Sequence, residues 1–487
     1  MAGAGELSLL VRPVRELLHG PAATCAPATS VAEAAGLMRQ DTAVIVLDGD
    51  GAPLGIVTDR DLRIRIVVAR RDAAATAVAD VMSAPVVTIA AGALAFEALL
   101  EMTRRQIHHL VVVEDGRPVG VLASDDVVGA RTTHPVSLAR EIARAPSREA
   151  LARLAGSVSG LVERLVDDGA GAGEIAHIVA ELNDRIVVRV LAQAEAALAE
   201  RGQGPPPVAY GWMVFGSEGR REQTLRTDQD NGLVYGDPAP DQGEAVARYF
   251  GALAGEVVAG LLAIGFPPCP GGAMASNPRW CQPLATWTAY FRDWMAHPTH
   301  EHVLAASMYF DLRSVGGAPE LGAALAALVQ EEAPRQRRFL TAMASDVVDR
   351  RLPLGPLGGL RLPWSGARRG TLDLKGAGGL QLVGAGRVHA LELGLRETGT
   401  IERFAGAGAR GLYTPAEVAE ITDAHDDLLR LRLARQLDCR RQGLPPDNRV
   451  NVRRLSHRNH VLLQEALRTV GRVQGKLRER FATDYAV

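Results

Sequence analysis

An eight-residue run occurs twice near the start of the chain. Gly55-Ile56-Val57-Thr58-Asp59-Arg60-Asp61-Leu62 returns as Gly120-Val121-Leu122-Ala123-Ser124-Asp125-Asp126-Val127. Each run follows an apolar stretch that reads as a strand, Ala43 to Leu47 and His109 to Val113. An acidic-glycine turn lies between strand and run, Asp48-Gly49-Asp50-Gly51 in one copy and Glu114-Asp115-Gly116 in the other. Helical spacing precedes each strand, over Val31 to Arg39 and Ala93 to Arg105. Arg12 to Leu17 opens the first copy and Val78 to Ser83 the second. Repeated units of this kind stack to bury a shared face. Residues 8–135 are therefore expected to form a paired α+β module, with copies at about 8–70 and 76–133.

The repeat resembles a tandem pair of cystathionine-beta-synthase (CBS) domains, regulatory modules that bind adenine nucleotides in the cleft between copies. In that family the Thr and Asp of Gly-x-x-Thr-x-x-Asp contact ribose and phosphate. The resemblance places Thr58 and Asp61 in those roles, and Asp126 in the second copy, where Ala123 stands in place of Thr. It implies AMP or ATP as ligand, a weakened or lost second site, and head-to-head homodimers. The same residues also suit plain helix capping, since Thr and Asp are good N-caps.

A second signal lies at Gly216-Ser217-Glu218-Gly219-Arg220-Arg221, followed by Asp228-Gln229-Asp230. Apolar runs flank it, Tyr210 to Phe215 and Leu233 to Tyr235, and both read as strands. Residues two apart on a strand share a face, so Asp228 and Asp230 aim their carboxylates at one spot. Such a pair is costly unless a cation sits there, and hard oxygen ligands suit Mg²⁺ completed by phosphate oxygens and water. Gly216 and Gly219 permit close backbone approach to a phosphate. Ser217 adds a hydroxyl, and Arg220, Arg221 and Arg226 add positive charge.

This segment resembles the nucleotidyltransferase signature of the DNA polymerase beta superfamily. It is most similar to the nucleotidyltransferase domain of the DUF294 type, related to protein-PII uridylyltransferase and glutamine-synthetase adenylyltransferase. The segments Cys269 to Trp280 with Leu284, Trp287 and Trp294, then Phe310 to Gly317, resemble its second and third blocks. Leu372-Asp373-Leu374-Lys375 and Pro446-Asp447-Asn448 resemble the helical domain that accompanies it. The resemblance implies Asp228 and Asp230 as metal ligands, with Mg²⁺ or Mn²⁺. It also implies an NTP donor held by Gly216, Ser217, Gly219, Arg220 and Arg221. As acceptor it implies a PII-like or other signalling protein, modified on a tyrosine with release of pyrophosphate. Met274, Asn277 and Trp280 would line the nucleotide pocket. The superfamily uses a third carboxylate. Asp311 is one candidate, although by order along the chain the region of Cys269 holds that place, and a thiol cannot replace a hard carboxylate ligand. Asp311 also suits an ion pair with Arg313.

The expected architecture is α/β and multidomain: the CBS pair, a helical connector at 138–202, a polymerase-beta-like nucleotidyltransferase domain at 203–335, and a helical C-terminal domain at 336–487. Pro205-Pro206-Pro207 marks the boundary before the catalytic strand. A net charge of −2 without a basic block argues against nucleic acid as partner. Four scattered cysteines form no zinc spacing and point to a reduced, cytoplasmic setting. Phe250 to Phe266 contains Glu256 and reads as too short to span a membrane. His425-Asp426 invites comparison with metal phosphohydrolases, but no partner set accompanies it, so His425 reads as an exposed helix residue. Trp280, Trp287 and Trp294 recur every seven residues and read as a packing stripe. The competing functional reading is a non-catalytic module that senses adenine nucleotides and signals to a partner.

Overall fold

The computed structural model describes residues 10–18, 20, 22–38, 43–124, 135–225, 228–355, 359–363, 365 and 368–483. It divides into two compact units, residues 1–139 with 167–170, and residues 140–166 with 171–487. Asp126 and Arg226 lie outside the described residues.

In the first unit the two copies repeat one topology. Strand β1 (Thr24–Cys25) runs parallel to β2 (Ala43–Leu47), which pairs antiparallel with β3 (Pro53–Thr58). Strands β4 (Thr88–Ala90), β5 (His109–Glu114) and β6 (Arg117–Ala123) repeat that order. The registers also correspond: Ala43 faces Thr58, and His109 faces Ala123. Helices Val31–Leu37 and Ala95–Arg105 cover the sheets. Ser30 and Glu33 form a reciprocal capping box that starts the first helix. The opening segments cross over. Val14 donates to the Ala93 carbonyl of the second copy, whereas Val78 donates to Thr29 of the first. Val78 and Val81 then pack with Val31, Val46 and Val57. Each copy thus completes its partner's core.

The second unit is built on a four-stranded sheet, order β10–β7–β8–β9. Strand β7 (Tyr210–Val214) pairs antiparallel with both β10 (Arg313–Gly317) and β8 (Asn231–Tyr235), and β8 runs parallel to β9 (Cys281–Pro283). The crossover between β8 and β9 is helix Gly243–Ile264. By length and composition alone that helix could cross a membrane, and it exceeds the span expected from sequence. Its apolar face, including Phe250, Leu253 and Val257, is buried, and it packs against helix Ala172–Glu200. Glu256 within it pairs with Arg148 at 2.9 Å and Arg201 at 2.6 Å.

Helix Ala172–Glu200 also packs on β10 and on helix Pro415–Arg441, so it is an integral part of this unit. The C-terminal helices are Arg337–Asp349, Leu380–Leu393, Thr400–Ala409, Pro415–Arg441 and His457–Phe481. A two-stranded ribbon, β11 (Thr371–Asp373) with β12 (Arg449–Asn451), interrupts them. One continuous core runs from Met213 and Phe215 in the sheet to Leu463 and Phe481 at the end of the chain.

Candidate active site

Strand β7 ends at Val214, and Gly216–Gly219 then makes a single helical turn. Gly216 takes φ +57°, a left-handed value that favours glycine. A Cβ built on Gly216 would stand 3.5 Å from Asp230 Oδ2, so the bare backbone of the turn abuts that carboxylate. Ser217 is half-buried on the same turn.

Asp228 and Asp230 do not lie within β8, as the sequence predicts, but on the extended segment leading into it. Gln229 bridges in parallel to Pro268, its N–H donating to the Pro267 carbonyl at 3.0 Å, and the Asp230 carbonyl accepts from Phe215 N–H at 2.9 Å. The strand alternation therefore holds. Asp228 is exposed, Gln229 is buried and donates to the Phe266 carbonyl, and Asp230 is half-buried. The two carboxylates point away from the buried Gln229, onto one face. Burial raises the Asp230 carboxyl above its ordinary range, and Asp228 adds to the shift. The Cys269 thiol and the Lys375 ammonium oppose it.

Cys269 is half-buried against Asp230; burial and then that carboxylate push its thiol upward. Behind it the Tyr309 hydroxyl is buried without a hydrogen-bond partner among the described residues, and its pKa is raised by burial and then by Asp230. Trp280, Trp287 and Trp294 stack around Tyr309, with centroids 4.3, 5.9 and 5.4 Å away. Trp287 and Trp294 share helix Leu284–Ala296, while Trp280 sits on the short turn before it. The tryptophan stripe is therefore core.

Several expected roles change. Asp311 is fully buried and is the hub of an arginine cluster. It receives Arg220 at 2.6 Å, Arg387 at 2.6 Å and Arg403 at 2.7 Å. Burial alone would raise its carboxyl, but Arg387, Arg403 and Arg220 overcome that and hold it well below the usual range. Its oxygens are occupied, so it cannot serve as the third metal carboxylate. Arg220 is not on the phosphate side either, since it is bound between Asp311 and Glu222 (2.7 Å). Gly219 is needed because a Cβ there would run into the Asp311 carbonyl oxygen. Arg221 turns to His177 on helix Ala172–Glu200, 3.0 Å away. Arg313 pairs with Asp184, not Asp311, and donates to the Glu218 carbonyl at 3.0 Å. His425 is buried, not exposed, 3.9 Å from Glu222, and burial lowers its pKa.

The C-terminal helices supply what the loop lacks. Leu225, three residues before Asp228, donates to Gln436 Oε1 at 3.1 Å. Gln436 and Arg432, one turn apart, both donate to Asn448 Oδ1, at 3.0 and 3.2 Å. Leu374 N–H donates to the Asn448 carbonyl at 3.0 Å, which places Lys375 beside it. Crowding by protein and then Arg432 hold the Lys375 ammonium below its usual value, whereas Asp230 and Asp228 pull it back. Arg432 is lowered to about 10, by burial and then Arg220. Lys375 is one of only two lysines among 54 basic residues, a signal that could have drawn attention to it; nothing in sequence marks Arg432 or Gln436.

Two carboxylates on one face suit Mg²⁺, which is commonly held by one or two carboxylates with phosphate oxygens and water. Among the described residues no group of three or more His, Cys, Asp or Glu is placed to hold a metal by itself. A cation here would depend on the bound phosphates.

In the first unit, Thr58 N–H and Oγ1 both donate to Asp61 Oδ2, at 3.0 and 2.8 Å, and Ser83 Oγ donates to Asp61 Oδ1 at 3.2 Å. Asp61 thus accepts from the backbone of the residue that opens the following helix, while the Thr58 hydroxyl is turned onto Asp61.

Three families match segments of the chain. Residues 156–301 match the family described as "Putative nucleotidyltransferase DUF294", and residues 337–481 match "Putative nucleotidyltransferase substrate binding domain". Residues 14–68 and 78–132 each match the CBS domain. Among curated proteins, the chain is 38 % identical over 112 residues to the meiotically up-regulated gene 70 protein of Schizosaccharomyces pombe, covering 22 % of this chain and 15 % of that protein. It is 31 % identical over 138 residues to inosine-5'-monophosphate dehydrogenase of Mycobacterium tuberculosis, covering 28 % of this chain and 25 % of the enzyme. The chain thus spans a quarter or less of the length of these two relatives. A CBS-domain protein of Agrobacterium tumefaciens is 32 % identical with a TM-score of 0.23, over 25 % of this chain and all of that one. A Pyrobaculum aerophilum CBS-domain protein solved with AMP is 26 % identical with a TM-score of 0.23, over 25 % of this chain and 93 % of that one.

Proposed function

We propose that this chain, which carries a tandem CBS pair, a DUF294 nucleotidyltransferase-type domain and the C-terminal domain that accompanies it, transfers a nucleoside monophosphate from an NTP to a protein hydroxyl. The acceptor oxygen attacks the α-phosphorus, the bond to the bridging oxygen breaks, pyrophosphate leaves and the hydroxyl proton passes to solvent. The observation that carries this reading is the shared face of Asp228 and Asp230, set against the bare backbone of Gly216. Those two carboxylates would hold a divalent cation, which when bound neutralises charge at the reacting phosphate and the leaving group. Gly216 and Ser217 offer the turn on which the phosphates rest, and buried Gln229 keeps the carboxylates aimed outward. A signalling protein of the PII kind, modified on tyrosine, is the acceptor class this reading favours. An adenine nucleotide at Thr58 and Asp61 would regulate the transfer, in a cytoplasmic setting.

A second reading rests on the surroundings of the acidic pair, where no third carboxylate stands among the described residues. Asp311 is consumed by arginines and Cys269 stands beside Asp230, so the chain could bind nucleotide without transferring it. Calorimetry of each NTP with and without Mg²⁺, on wild type and Asp228→Asn/Asp230→Asn, tests the site that both readings share, and transfer of label from an α-labelled NTP to protein separates the two. Metal-dependent binding that the double variant loses supports the site. Binding indifferent to both metal and variant removes it.

A further inference from the structure

Lys375 and Arg432 are cations with no ion-pair partner among the described residues; Lys375 is exposed and lies within electrostatic reach of Asp230 and Asp228, and Arg432 stands next to Lys375, near Glu222 and Asp373. The neighbouring arginines are each engaged by a carboxylate. Asp311 has three arginines, Arg313 has Asp184, and Arg435 has Asp447. Asn448 fixes both positions, its side chain holding Arg432 and its carbonyl holding the backbone beside Lys375. Gln436 ties the same assembly to Leu225, on the loop that carries Asp228. Two pinned cations, Lys375 next to the acidic pair and Arg432 next to Lys375, form with that pair a site divided by charge. The acids suit a divalent cation, and the cations suit the polyanion bound to it. Arg220 and Arg221 cannot fill this role, because each is already engaged elsewhere.

We propose that Lys375 and Arg432, from the C-terminal domain, form the clamp that binds the triphosphate of the donor nucleotide. The proposal rests on the nucleotidyltransferase reading for the identity of the ligand. The loop of β7 and β8 supplies carboxylates and bare backbone, and the helical domain supplies the countercharge. The donor site is then complete only when both domains are present. A nucleoside monophosphate, which lacks the β- and γ-phosphates, gains little from the clamp.

The test is equilibrium binding by the full chain of each NTP, its NMP and inorganic tripolyphosphate, with and without Mg²⁺. Lys375→Met and Arg432→Gln are compared with Lys476→Met, which removes the chain's other lysine. Thermal melting checks that the variants fold, and the exposed Lys375 provides the variant least coupled to folding. The expected result is a loss of about tenfold or more in NTP and tripolyphosphate affinity for each clamp variant. NMP affinity should stay within about twofold, and Lys476→Met should resemble wild type. Unchanged NTP affinity in folded clamp variants, or equal loss for NTP and NMP, overturns the clamp. If wild type binds tripolyphosphate through these residues but no nucleotide, the transferase reading fails and the clamp stands. If wild type binds neither, the clamp fails too.

Discussion

Asp311 shows how a buried acid can look catalytic in sequence and be structural in space. Its two oxygens meet three guanidinium groups, two of them from the C-terminal helices. Asp311→Asn would leave Arg387 and Arg403 without their countercharge, while Arg220 keeps Glu222, and its cost should be about 3–5 kcal/mol of stability in a denaturant titration. Retained stability with lost nucleotide binding would contradict this assignment. Glu218 makes a second residue-level prediction. Burial, then Asp184, raises its carboxyl from the ordinary 4.5 to about 8. Between those values the folded protein keeps a proton that the unfolded chain has released. Stability contributed by this group therefore falls as pH rises through that window. Glu218→Gln should flatten the decline, measured as melting temperature between pH 5 and 8.

At the level of elements, the turn Gly216–Gly219 contains two glycines with different duties. Gly216 permits a left-handed backbone beside Asp230, whereas Gly219 permits contact with the Asp311 carbonyl. Gly216→Ala should cost about 1–2 kcal/mol through backbone strain. Gly219→Ala should cost about 3 kcal/mol or more, because backbone rather than a mobile side chain blocks the Cβ. Denaturant unfolding of the two variants compares them directly. Sequence could place this turn because its signal is local: apolar strand, Gly-Ser, then alternating acids. The repeat was legible for the same reason, since its strands and turns recur in order. Partner choice was not. Arg220 and Arg221 are the right residues for phosphate, and only the fold turns them to Asp311, Glu222 and His177. The exchange of opening segments between repeat copies and the β11–β12 ribbon were hidden likewise, because their partners lie far away in sequence.

At the scale of the molecule, the sheet and the C-terminal helices share one apolar core and one site. Core residues run from Phe215 to Phe481, and Leu225, Gln436, Asn448 and Lys375 link the two regions around the acidic pair. A chain ending at residue 336 would expose that core, and should be insoluble or bind dye as a partly folded state rather than retain nucleotide binding. The expected domain boundary at 335/336 separates segments of sequence, whereas packing and site cross it. The central claim concerns the chemistry of Asp228 and Asp230, and α-labelled nucleotide tests it most directly. Purified protein comprising the whole 487-residue chain is incubated with each α-labelled NTP, Mg²⁺ or Mn²⁺ and a cell extract, beside Asp228→Asn/Asp230→Asn. The account predicts label on a discrete protein band with wild type and none with the variant. Equal labelling by both, or metal-dependent binding with no transfer under any nucleotide, would contradict it.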